Sequence, residues 1–271
     1  MIAITDKEFE QLSAYIRKQY GINLKSEKRT LVMGRLYNEL VKNGFNNYTD
    51  YINYILSDKS GNALNNLINK ITTNHTYFMR EADHFYYFRD VVMPYLMQYV
   101  KSKDLRIWSA GCSSGEEPYT LAMIIDEVLG RNKVWWDAKI LATDISSKVL
   151  EKAMNACYDK EELENLSSQW RLNYFQKVDE NKLKVVDRIR NEVIFRRLNL
   201  MDDIFPFKSK FHVIFCRNVM IYFDKEAKQR LINKFYNLLE CGGYLFIGHS
   251  ETIEKGTSDF RYIMPAVYRK D

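Results

Sequence analysis

Long apolar runs are missing from this sequence. No window approaches the roughly 18 consecutive apolar residues that a membrane-spanning helix needs, and the opening stretch MIAITDKEFE lacks a basic segment followed by an apolar run. We therefore expect no insertion into a membrane and a cytoplasmic location. Because 46% of the residues are hydrophobic, the chain can fill the core of one large domain, or of a domain with a small accessory domain.

Cysteine is scarce and widely spaced. It occurs four times among 271 residues, without a CxxC pair, so the sequence predicts neither a disulfide framework nor a structural zinc site. We expect reduced, buried thiols at Cys112, Cys157, Cys216 and Cys241.

The first 70 residues are patterned as helices. TDKEFEQLSAYIRKQYGINL begins with a Thr5/Glu8 capping box and ends at Gly21, and three further amphipathic segments are RTLVMGRLYNELVKNG, NYTDYINYIL and ALNNLINKI. The net charge of +5 is mild and does not by itself imply nucleic acid, but its cations concentrate here, at Lys18, Lys25, Lys28, Arg29, Arg35 and Lys42. This face is either simply solvated or a docking surface for an acidic partner.

From about residue 105 onward, short apolar runs alternate with helical patterns, which is typical of an α/β, doubly wound fold. The predicted strands are LRIWSA, KILATD, VIFRRLN, FHVIFCR, YLFIG and a last one near AVYRK; the predicted helices are PYTLAMIIDEVLG, SSKVLEKAMNACY and KEAKQRLINKFYNLLECGG. Proline cannot donate to a central ladder, so we expect pairing of the last strand to start after Pro265, at Ala266. The polar stretch 158–192 is too long for an ordinary loop and predicts a small excursion.

The turn after the first strand, within RIWSAGCSSGEEPYTLAM, lies where α/β sheets bind ligands. It spells neither GxGxxG nor a P-loop, which disfavours a Rossmann oxidoreductase. Glu116 and Glu117 would repel a phosphate at the start of the following helix. The pattern therefore favours a phosphate-free, cationic nucleoside, and S-adenosylmethionine fits. The alternative is that the two acids only complement the helix dipole.

The second strand ends in Asp144, within KILATDIS. An acid at this position can accept hydrogen bonds from both ribose hydroxyls of an adenosine. The alternative is that Asp144 only caps the next helix. The combination of a small-residue turn, two glutamates and an acid after the second strand favours methyltransferase-like cofactor binding.

Five motifs, in order along nearly the whole chain, resemble the chemotaxis receptor methyltransferase family, CheR. They are TTNHTYFMREADHF (72–85), WSAGCSSGEEPY (108–119), ATDIS (142–146), FCRNVMIYFD (215–224) and GGYLFIGHSE (242–251). The resemblance implies a helical receptor-docking domain (1–71), a linker that contributes to the cofactor site (72–84) and a Rossmann-like class I methyltransferase domain (85–271) with a small β excursion. It also implies methyl transfer from S-adenosylmethionine to glutamates of methyl-accepting chemotaxis receptors, leaving S-adenosylhomocysteine.

The resemblance also assigns residues to the site. The cofactor-binding positions are Asn74, Thr76, Arg80, Gly111, Glu117, Asp144, Asn199, Leu200, Arg217 and Asn218. Glu117 is favoured over Glu116. Arg80 is expected near the reacting centre, unless it only forms a surface ion pair, and Tyr222 beside the transferred methyl group, unless it only packs. Within HSE (249–251), adjacent residues cannot form a hydrolytic triad, so we expect a scaffolding role.

The basic face acquires a partner through the same resemblance. Lys25, Lys28, Arg29 and Arg35 would steer the glutamate-rich receptor helix, and we expect charge reversal at Arg29 and Arg35 to weaken methylation without affecting cofactor binding. Some family members capture a receptor C-terminal pentapeptide with a glycine-containing loop in the β excursion; this chain has no glycine there, which predicts pentapeptide independence. We expect a monomer with no metal and no nucleic-acid partner. The alternatives are a regulatory S-adenosylmethionine-binding module and a methyltransferase acting on another protein or on nucleic acid.

Overall fold

The structure, a computed structural model, describes residues 2–271. The chain begins with the four predicted helices, α1 (Asp6–Tyr20), α2 (Arg29–Lys42), α3 (Tyr48–Ser57) and α4 (Asn62–Ile71). Their buried faces enclose a separate apolar core that includes Leu12, Leu36 and Leu67. We call residues 2–71 the helical domain.

Helix α1 starts with the predicted capping box. Thr5 Oγ1 accepts a hydrogen bond from Glu8 N at 3.3 Å, and the Glu8 carboxylate accepts one from Thr5 N at 2.8 Å. The other Glu8 oxygen accepts bonds from Thr49 N and Oγ1, both at 2.8 Å. Glu8 therefore also joins α1 to α3. As predicted, Gly21 ends α1, in the left-handed region with φ 68°.

The rest of the chain forms the α/β part. Its remaining helices are α5 (Ala82–Tyr87), α6 (Met93–Tyr99), α7 (Glu116–Leu129), α8 (Ser147–Asn155), α9 (Ser168–Tyr174), α10 (Asp187–Arg190) and α11 (Lys225–Leu238). The strands are β1 (Ile107–Ala110), β2 (Ile140–Asp144), β3 (Cys157–Asp159), β4 (Phe175–Lys177), β5 (Lys182–Val185), β6 (Val193–Arg197), β7 (Phe211–Cys216), β8 (Leu239–Ile247), β9 (Arg261–Met264) and β10 (Val267–Arg269).

Seven strands form the main sheet, in the order β6-β2-β1-β7-β8-β10-β9. The first five of these are parallel, and β10 pairs antiparallel with both of its neighbours, β8 and β9. Helices α5 to α8 pack on one face, and α11 packs on the other, where its Phe235 contacts Trp108 of β1. The doubly wound α/β prediction is confirmed, and the parallel strands direct their carboxyl ends to one edge.

Three details differ from the prediction. The last strand begins at Val267, one residue later than expected, although the Ala266 carbonyl already accepts a hydrogen bond from Ile247 N at 2.9 Å. Strand β9, immediately before that turn, was not predicted. Cys112 and Cys216 are buried free thiols as expected, but Cys157 is only half-buried and Cys241 is exposed. Cys241 lies where the register of β8 with β7 shifts, between Leu239 and Tyr244.

The predicted excursion is a small antiparallel sheet in the order β3-β5-β4. Strands β4 and β5 are joined by a tight turn in which Asp179 Oδ1 accepts hydrogen bonds from Asn181 N and Lys182 N, both at 2.8 Å. The connection therefore contains no extended loop.

The helical domain packs over the carboxyl edge of the main sheet. Asn23 N donates to the Tyr222 carbonyl at 2.8 Å, Asn199 Nδ2 donates to the Gln19 carbonyl at 2.8 Å, and Arg17 pairs with Asp224 at 2.7 Å. The two parts thus enclose a cleft between them. Within residues 2–271, no helix has the length and apolar character needed to span a bilayer.

Candidate active site between the two domains

The cleft lies above the carboxyl ends of the parallel strands and encloses about 1340 Å³, including its open mouth. Every position assigned by the resemblance lines it: Asn74, Thr76, Arg80, Gly111, Glu117, Asp144, Asn199, Leu200, Arg217, Asn218 and Tyr222, together with Lys28 and Arg35 of the helical domain.

Gly111 forms the floor of the cleft after β1. Its φ is +88°, and a Cβ built there would lie 2.3 Å from Val219 Cγ2. The Gly111 and Cys112 amides both donate to the Thr143 carbonyl, at 2.7 and 2.9 Å. The turn is therefore held against β2, and only glycine leaves room for a ligand at this point.

The two glutamates that open α7 point in different directions. Glu117 lines the cleft and accepts hydrogen bonds from Ser109 Oγ at 2.8 Å and from Arg217 at 3.2 Å. Glu116 is 1% exposed, and both its oxygens accept from Ser114 Oγ at 2.8 Å. Burial raises the pKa of Glu117, and the charge of Arg217 opposes this rise. Glu117 thus lines the cleft, whereas the Glu116 side chain is turned into the protein.

Asp144 is fixed by the backbone. Its Oδ2 accepts from Ser113 N and its Oδ1 from Ser146 N, both at 2.9 Å. Burial raises its pKa, and these backbone hydrogen bonds oppose the rise. The side chain that caps α8 is Ser146, which accepts from Val149 N, so the alternative that Asp144 is the helix cap is wrong. Each Asp144 oxygen retains a lone pair for ligand hydroxyls.

Arg217 is almost fully buried and bridges two carboxylates. Its guanidinium lies 3.2 Å from Glu117 and 3.0 Å from Glu81, and it also donates to the Arg80 carbonyl. Asn218 Nδ2 donates to the other Glu81 oxygen at 3.2 Å. Glu81 was not singled out from the sequence, since nothing in its spacing points to a partner so far along the chain.

Two candidate catalytic side chains lie at the mouth. Arg80 Nη1 donates to the His75 carbonyl at 2.7 Å, and its guanidinium forms no ion pair among residues 2–271. The Tyr222 hydroxyl approaches the Thr73 carbonyl at 3.4 Å, and Lys28 Nζ lies 5.3 Å from the centre of the Tyr222 ring. The predicted surface-ion-pair alternative for Arg80 is therefore not observed.

Asn74, Asn199 and Leu200 form part of the walls of the cleft. Asn74 accepts a hydrogen bond on its carbonyl from Ser113 Oγ at 3.0 Å, which joins the linker to the β1 turn. The Asn199 side chain is occupied by the Gln19 carbonyl and by Met201 N at 3.1 Å. Leu200 is buried beside it. Because the Asn199 amide already bonds to Gln19 and Met201, Asn199 can lie next to a flat ring without forming a hydrogen bond to it.

The predicted docking cations divide into two kinds. Lys25 is exposed and Lys28 is half-buried over Tyr222. Arg29 instead holds Asp6 and the Ile4 carbonyl, and Arg35 donates to the Ile71 carbonyl at 2.7 Å and to Thr73 Oγ1 at 3.1 Å. Arg35 therefore supports the linker and the cleft wall, and the docking role expected of it stays a prediction.

The HSE segment has the expected scaffolding geometry. The Glu251 carboxylate accepts hydrogen bonds from the backbone amides of Gly248 at 2.6 Å and of Asn218 and Ile221, both at 3.0 Å. Burial raises the pKa of Glu251, and these amides oppose the rise. Glu251 thus shapes the turn that carries Asn218 into the cleft.

These residues fit S-adenosylmethionine. Buried Asp144 and half-buried Glu117 both face the cleft, Gly111 lines its floor, and glutamates occupy the start of α7, where a helix would otherwise favour phosphate. Glu117 and Asp144 would hold the cationic and ribose portions, and Asn199 and Leu200 the adenine. The negative charges of Glu117 and Asp144 therefore suit a ligand that carries a positive charge and no phosphate group.

Comparison with known proteins agrees with this chemistry. The model of the CheR methyltransferase all-alpha domain matches residues 7–72, and that of the CheR methyltransferase SAM binding domain matches residues 74–268. The chain is 44% identical over 273 residues to a chemotaxis protein methyltransferase of Borreliella burgdorferi, covering 100% of this chain and 96% of that protein. It is 38% identical over 255 residues to a chemotaxis protein methyltransferase of Escherichia coli, covering 92% of this chain and 86% of that protein. The chain therefore belongs to the CheR family of S-adenosylmethionine-dependent methyltransferases.

Proposed function

We propose that the protein transfers a methyl group to glutamate side chains of methyl-accepting chemotaxis receptors and forms glutamate 5-O-methyl esters. The similarity to chemotaxis protein methyltransferases supports the chemotaxis assignment. The observation that carries the proposal is the mouth of the cleft, where Lys28, Arg35 and Arg80 face the space beside the cofactor acids. A carboxylate acceptor suits these cations, whereas an amine would be repelled.

The proposed reaction requires no general acid or general base from the protein. A glutamate side chain has a reference pKa near 4.3 and is already a carboxylate at neutral pH, so no general base is needed. When bound, the cofactor supplies a methyl group on a cationic sulfur that leaves as a neutral sulfide. The chain would only have to hold the acceptor oxygen facing that methyl group, and none of its residues would have to accept or donate a proton.

The contribution of the chain is then positioning. Arg80 would orient the acceptor carboxylate by charge-assisted hydrogen bonds, and Tyr222 would pack beside the methyl group under the cover of Lys28. Such near-attack positioning can supply roughly 7–11 kcal/mol of the barrier, and the helical domain excludes water from above.

The test is transfer of labelled methyl groups to receptor-enriched membranes, followed by mild base. Methyl esters release the label as methanol, whereas methylated amines and bases retain it. The Tyr222→Phe variant tests whether the hydroxyl matters, and a matched control is Tyr262→Phe, which changes an exposed tyrosine on the edge strand β9. Base-stable label on protein or nucleic acid would instead support the other acceptor classes, and cofactor binding without any transfer would support a regulatory module.

The protein would act without a pentapeptide tether. The connection between β4 and β5 is a tight turn closed by Asp179, with no glycine from Tyr174 to Phe195, so a loop of the kind that captures the peptide is missing there. Titration with a receptor C-terminal pentapeptide should show no saturable binding. Tight binding would refute this part of the proposal and leave the methyl-transfer chemistry intact. The enzyme would work as a cytoplasmic monomer.

A further inference from the structure

The loop between β7 and α11 carries Tyr222, and the α/β part anchors the start of this loop. The Glu251 carboxylate accepts hydrogen bonds from the amides of Asn218 and Ile221, both at 3.0 Å. The amides of Tyr222 and Phe223 then bond to carbonyls of the loop itself, at 3.2 and 3.0 Å. The anchors on Glu251 therefore precede Tyr222 in the chain.

The helical domain supports the loop at Tyr222 itself. Asn23 N donates to the Tyr222 carbonyl at 2.8 Å, and Ile22 forms an isolated antiparallel bridge with Phe223. Asn23 and Ile22 belong to the stretch between α1 and α2, and we call residues 21–24 the bridge segment. The backbone of a candidate catalytic residue is therefore bonded to a domain other than its own.

Gly21 allows the bridge segment to lie this close to the loop. Its φ is +68°, and a Cβ built there would lie 2.6 Å from Met201 Sδ and 3.3 Å from Phe223 Cδ1. A side chain at this position would displace Met201 or push the bridge segment away from Phe223. The spacing between the helical domain and the loop is therefore set by a residue that has no side chain.

The Tyr222 side chain has weak contacts of its own. Its hydroxyl lies 3.4 Å from the Thr73 carbonyl, beyond the roughly 2.7–2.8 Å of a typical O–H···O hydrogen bond. Lys28 Nζ, which lies 5.3 Å from the centre of the ring, also comes from the helical domain. The position of the ring therefore follows the position of its backbone, and a shift of about 1 Å in an active site can cost a large share of the rate.

An ion pair next to the loop explains less. Arg17 pairs with Asp224 at 2.7 Å, but the Arg17 side chain is 55% exposed, and exposed pairs contribute little. The other Asp224 oxygen accepts a hydrogen bond from Ala227 N at 2.8 Å at the start of α11, so Asp224 is held without Arg17. The backbone hydrogen bond from Asn23 is therefore the contact to test.

We propose that the bridge segment is a positioning element for methyl transfer: the Asn23 amide, brought close by Gly21, holds Tyr222 toward the transferred methyl group. The helical domain would thus set the rate of the transfer step in addition to docking the acceptor. This inference rests on the proposed role of Tyr222 and not on which protein is the acceptor.

The experiment compares Asn23→Pro, which removes the amide that bonds to Tyr222, with Asn23→Ala, which keeps it. With labelled S-adenosylmethionine and receptor-enriched membranes, we expect kcat of Asn23→Pro to fall about tenfold. KM for the receptor, and Kd for S-adenosylhomocysteine measured by calorimetry, should change by less than about twofold. Asn23→Ala should retain at least about half of the native kcat. An unchanged kcat in folded Asn23→Pro, or an equal loss in Asn23→Ala, would overturn the proposal.

Lys59→Pro controls for the effect of a proline elsewhere in the helical domain. Lys59 is the second residue of a turn in which Gly61 N donates to the Asp58 carbonyl at 3.3 Å, a position that proline favours. Lys59 forms none of the cleft wall, so this variant should change neither kcat, KM nor Kd. A loss of kcat as large as that of Asn23→Pro would count against the proposal.

Hydrogen exchange monitors the loop without any acceptor. In Asn23→Pro, the amides of residues 219–224 should exchange faster than in the native protein, whereas those of β7 should not change. If the native protein methylates no receptor, the proposed function fails and hydrogen exchange alone decides. Unchanged exchange at residues 219–224 would then refute the positioning.

If Asn23→Pro does not fold, Gly21→Ala takes its place, with Gly44→Ala as the matched control. Gly44 has φ +74° and no atom of the described residues within 4 Å of a built Cβ, so its variant carries the same backbone strain without pressing on the α/β part. We expect kcat of Gly21→Ala to be at least about fivefold below that of Gly44→Ala. Equal values of kcat in these two variants would contradict the proposal.

Discussion

Gly111 has no room for a side chain, because its Cβ would meet Val219 and its φ is +88°. We expect Gly111→Ala to lower the free energy of unfolding by about 1–3 kcal/mol, since a residue with a side chain rarely adopts this backbone conformation. It should also weaken cofactor binding, because the added methyl group displaces Val219 at the floor of the cleft. Urea denaturation and calorimetric titration measure the two effects.

Gly34 on α2 provides the matched control. It has no atom within 4 Å of a built Cβ and no positive φ, so Gly34→Ala should stabilise the protein by about 0.5–1 kcal/mol through helix propensity. If both variants lost stability equally, the backbone argument for Gly111 would fail.

Single residues differed in how far the sequence could predict them. Glu117 and Asp144 were predictable, because each follows a strand that ends at the ligand edge of a parallel sheet. Glu81 was not, because its partner Arg217 is 136 residues away and no local pattern encodes that contact. The intramolecular contacts of Arg29 and Arg35 were not predictable for a similar reason: their acceptors are Asp6, Ile71 and Thr73, which only the tertiary fold brings near.

Helix α5 carries a buried histidine that should make the fold sensitive to acid. His84 is 0% exposed, and neither ring nitrogen has a hydrogen-bond partner among the described residues. Burial lowers its pKa to about 4, and Arg217 adds to this while Asp83 and Glu81 oppose it. The unfolded chain therefore binds a proton from about pH 6.5 downward and the folded chain does not, so this contribution to stability falls as pH falls, by about 2 kcal/mol from pH 7 to pH 5.

Urea denaturation at pH 7 and pH 5 measures this loss. In His84→Leu, the apolar contact with Phe246 is kept and the proton site is removed, so the fall between the two pH values should shrink by about 2 kcal/mol relative to the native protein. An identical fall in both proteins would show that other groups are responsible.

The segment between α1 and α2 offers a cleaner docking test than α2 itself. Lys25 is exposed and forms none of the cleft wall, so Lys25→Glu should raise KM for the receptor, more at low salt than at high salt, and leave cofactor affinity unchanged. Arg35→Glu should raise KM for the receptor and also lower the affinity for the cofactor, because Arg35 supports the linker at Ile71 and Thr73.

Charge reversal at the remote, exposed Lys59 is the control for net charge and should alter neither quantity. Equal effects of Lys25→Glu and Lys59→Glu on KM would argue against a localised docking face.

The elements that the sequence missed have weak or interrupted periodicity. Residues 82–99 combine α5, a π-helical turn at Phe88–Val92 and α6, and Pro94 lies near the start of α6. The π turn breaks the 3.6-residue spacing, and the proline resembles a helix stop. Strand β9 lies at the sheet edge with Arg261 and Tyr262 exposed, so its alternation of apolar and polar residues is lost.

At the scale of the whole molecule, residues from both domains line one cleft. The contacts of Asn23 with Tyr222, Asn199 with Gln19 and Arg17 with Asp224 join the domains next to it. A ligand that binds only the closed native form stabilises it by about 2.7 kcal/mol at a hundredfold excess over Kd. We therefore expect S-adenosylhomocysteine to move the unfolding of both domains together, as a single transition at higher temperature.

Scanning calorimetry with and without the product measures this, and helical and aromatic signals in circular dichroism report the two parts separately. A transition of the helical domain that stays at its original temperature would contradict the shared cleft. The sequence predicted the two domains and the class of the sheet, because hydrophobic periodicity carries that information. It could not predict how the domains pack, since the contacts between them are single polar pairs without a repeating pattern.

The division of the cleft between two parts with separate apolar cores has an evolutionary consequence. The acids proposed to hold the donor belong to the α/β part, whereas Lys25 and Lys28, which would meet the incoming protein, belong to residues 2–71. Substitutions in residues 2–71 could therefore change which protein is methylated without changing how the methyl donor is bound. This requires that the hydrogen bonds of Asn23 with Tyr222 and of Gln19 with Asn199, which join the two parts, are kept.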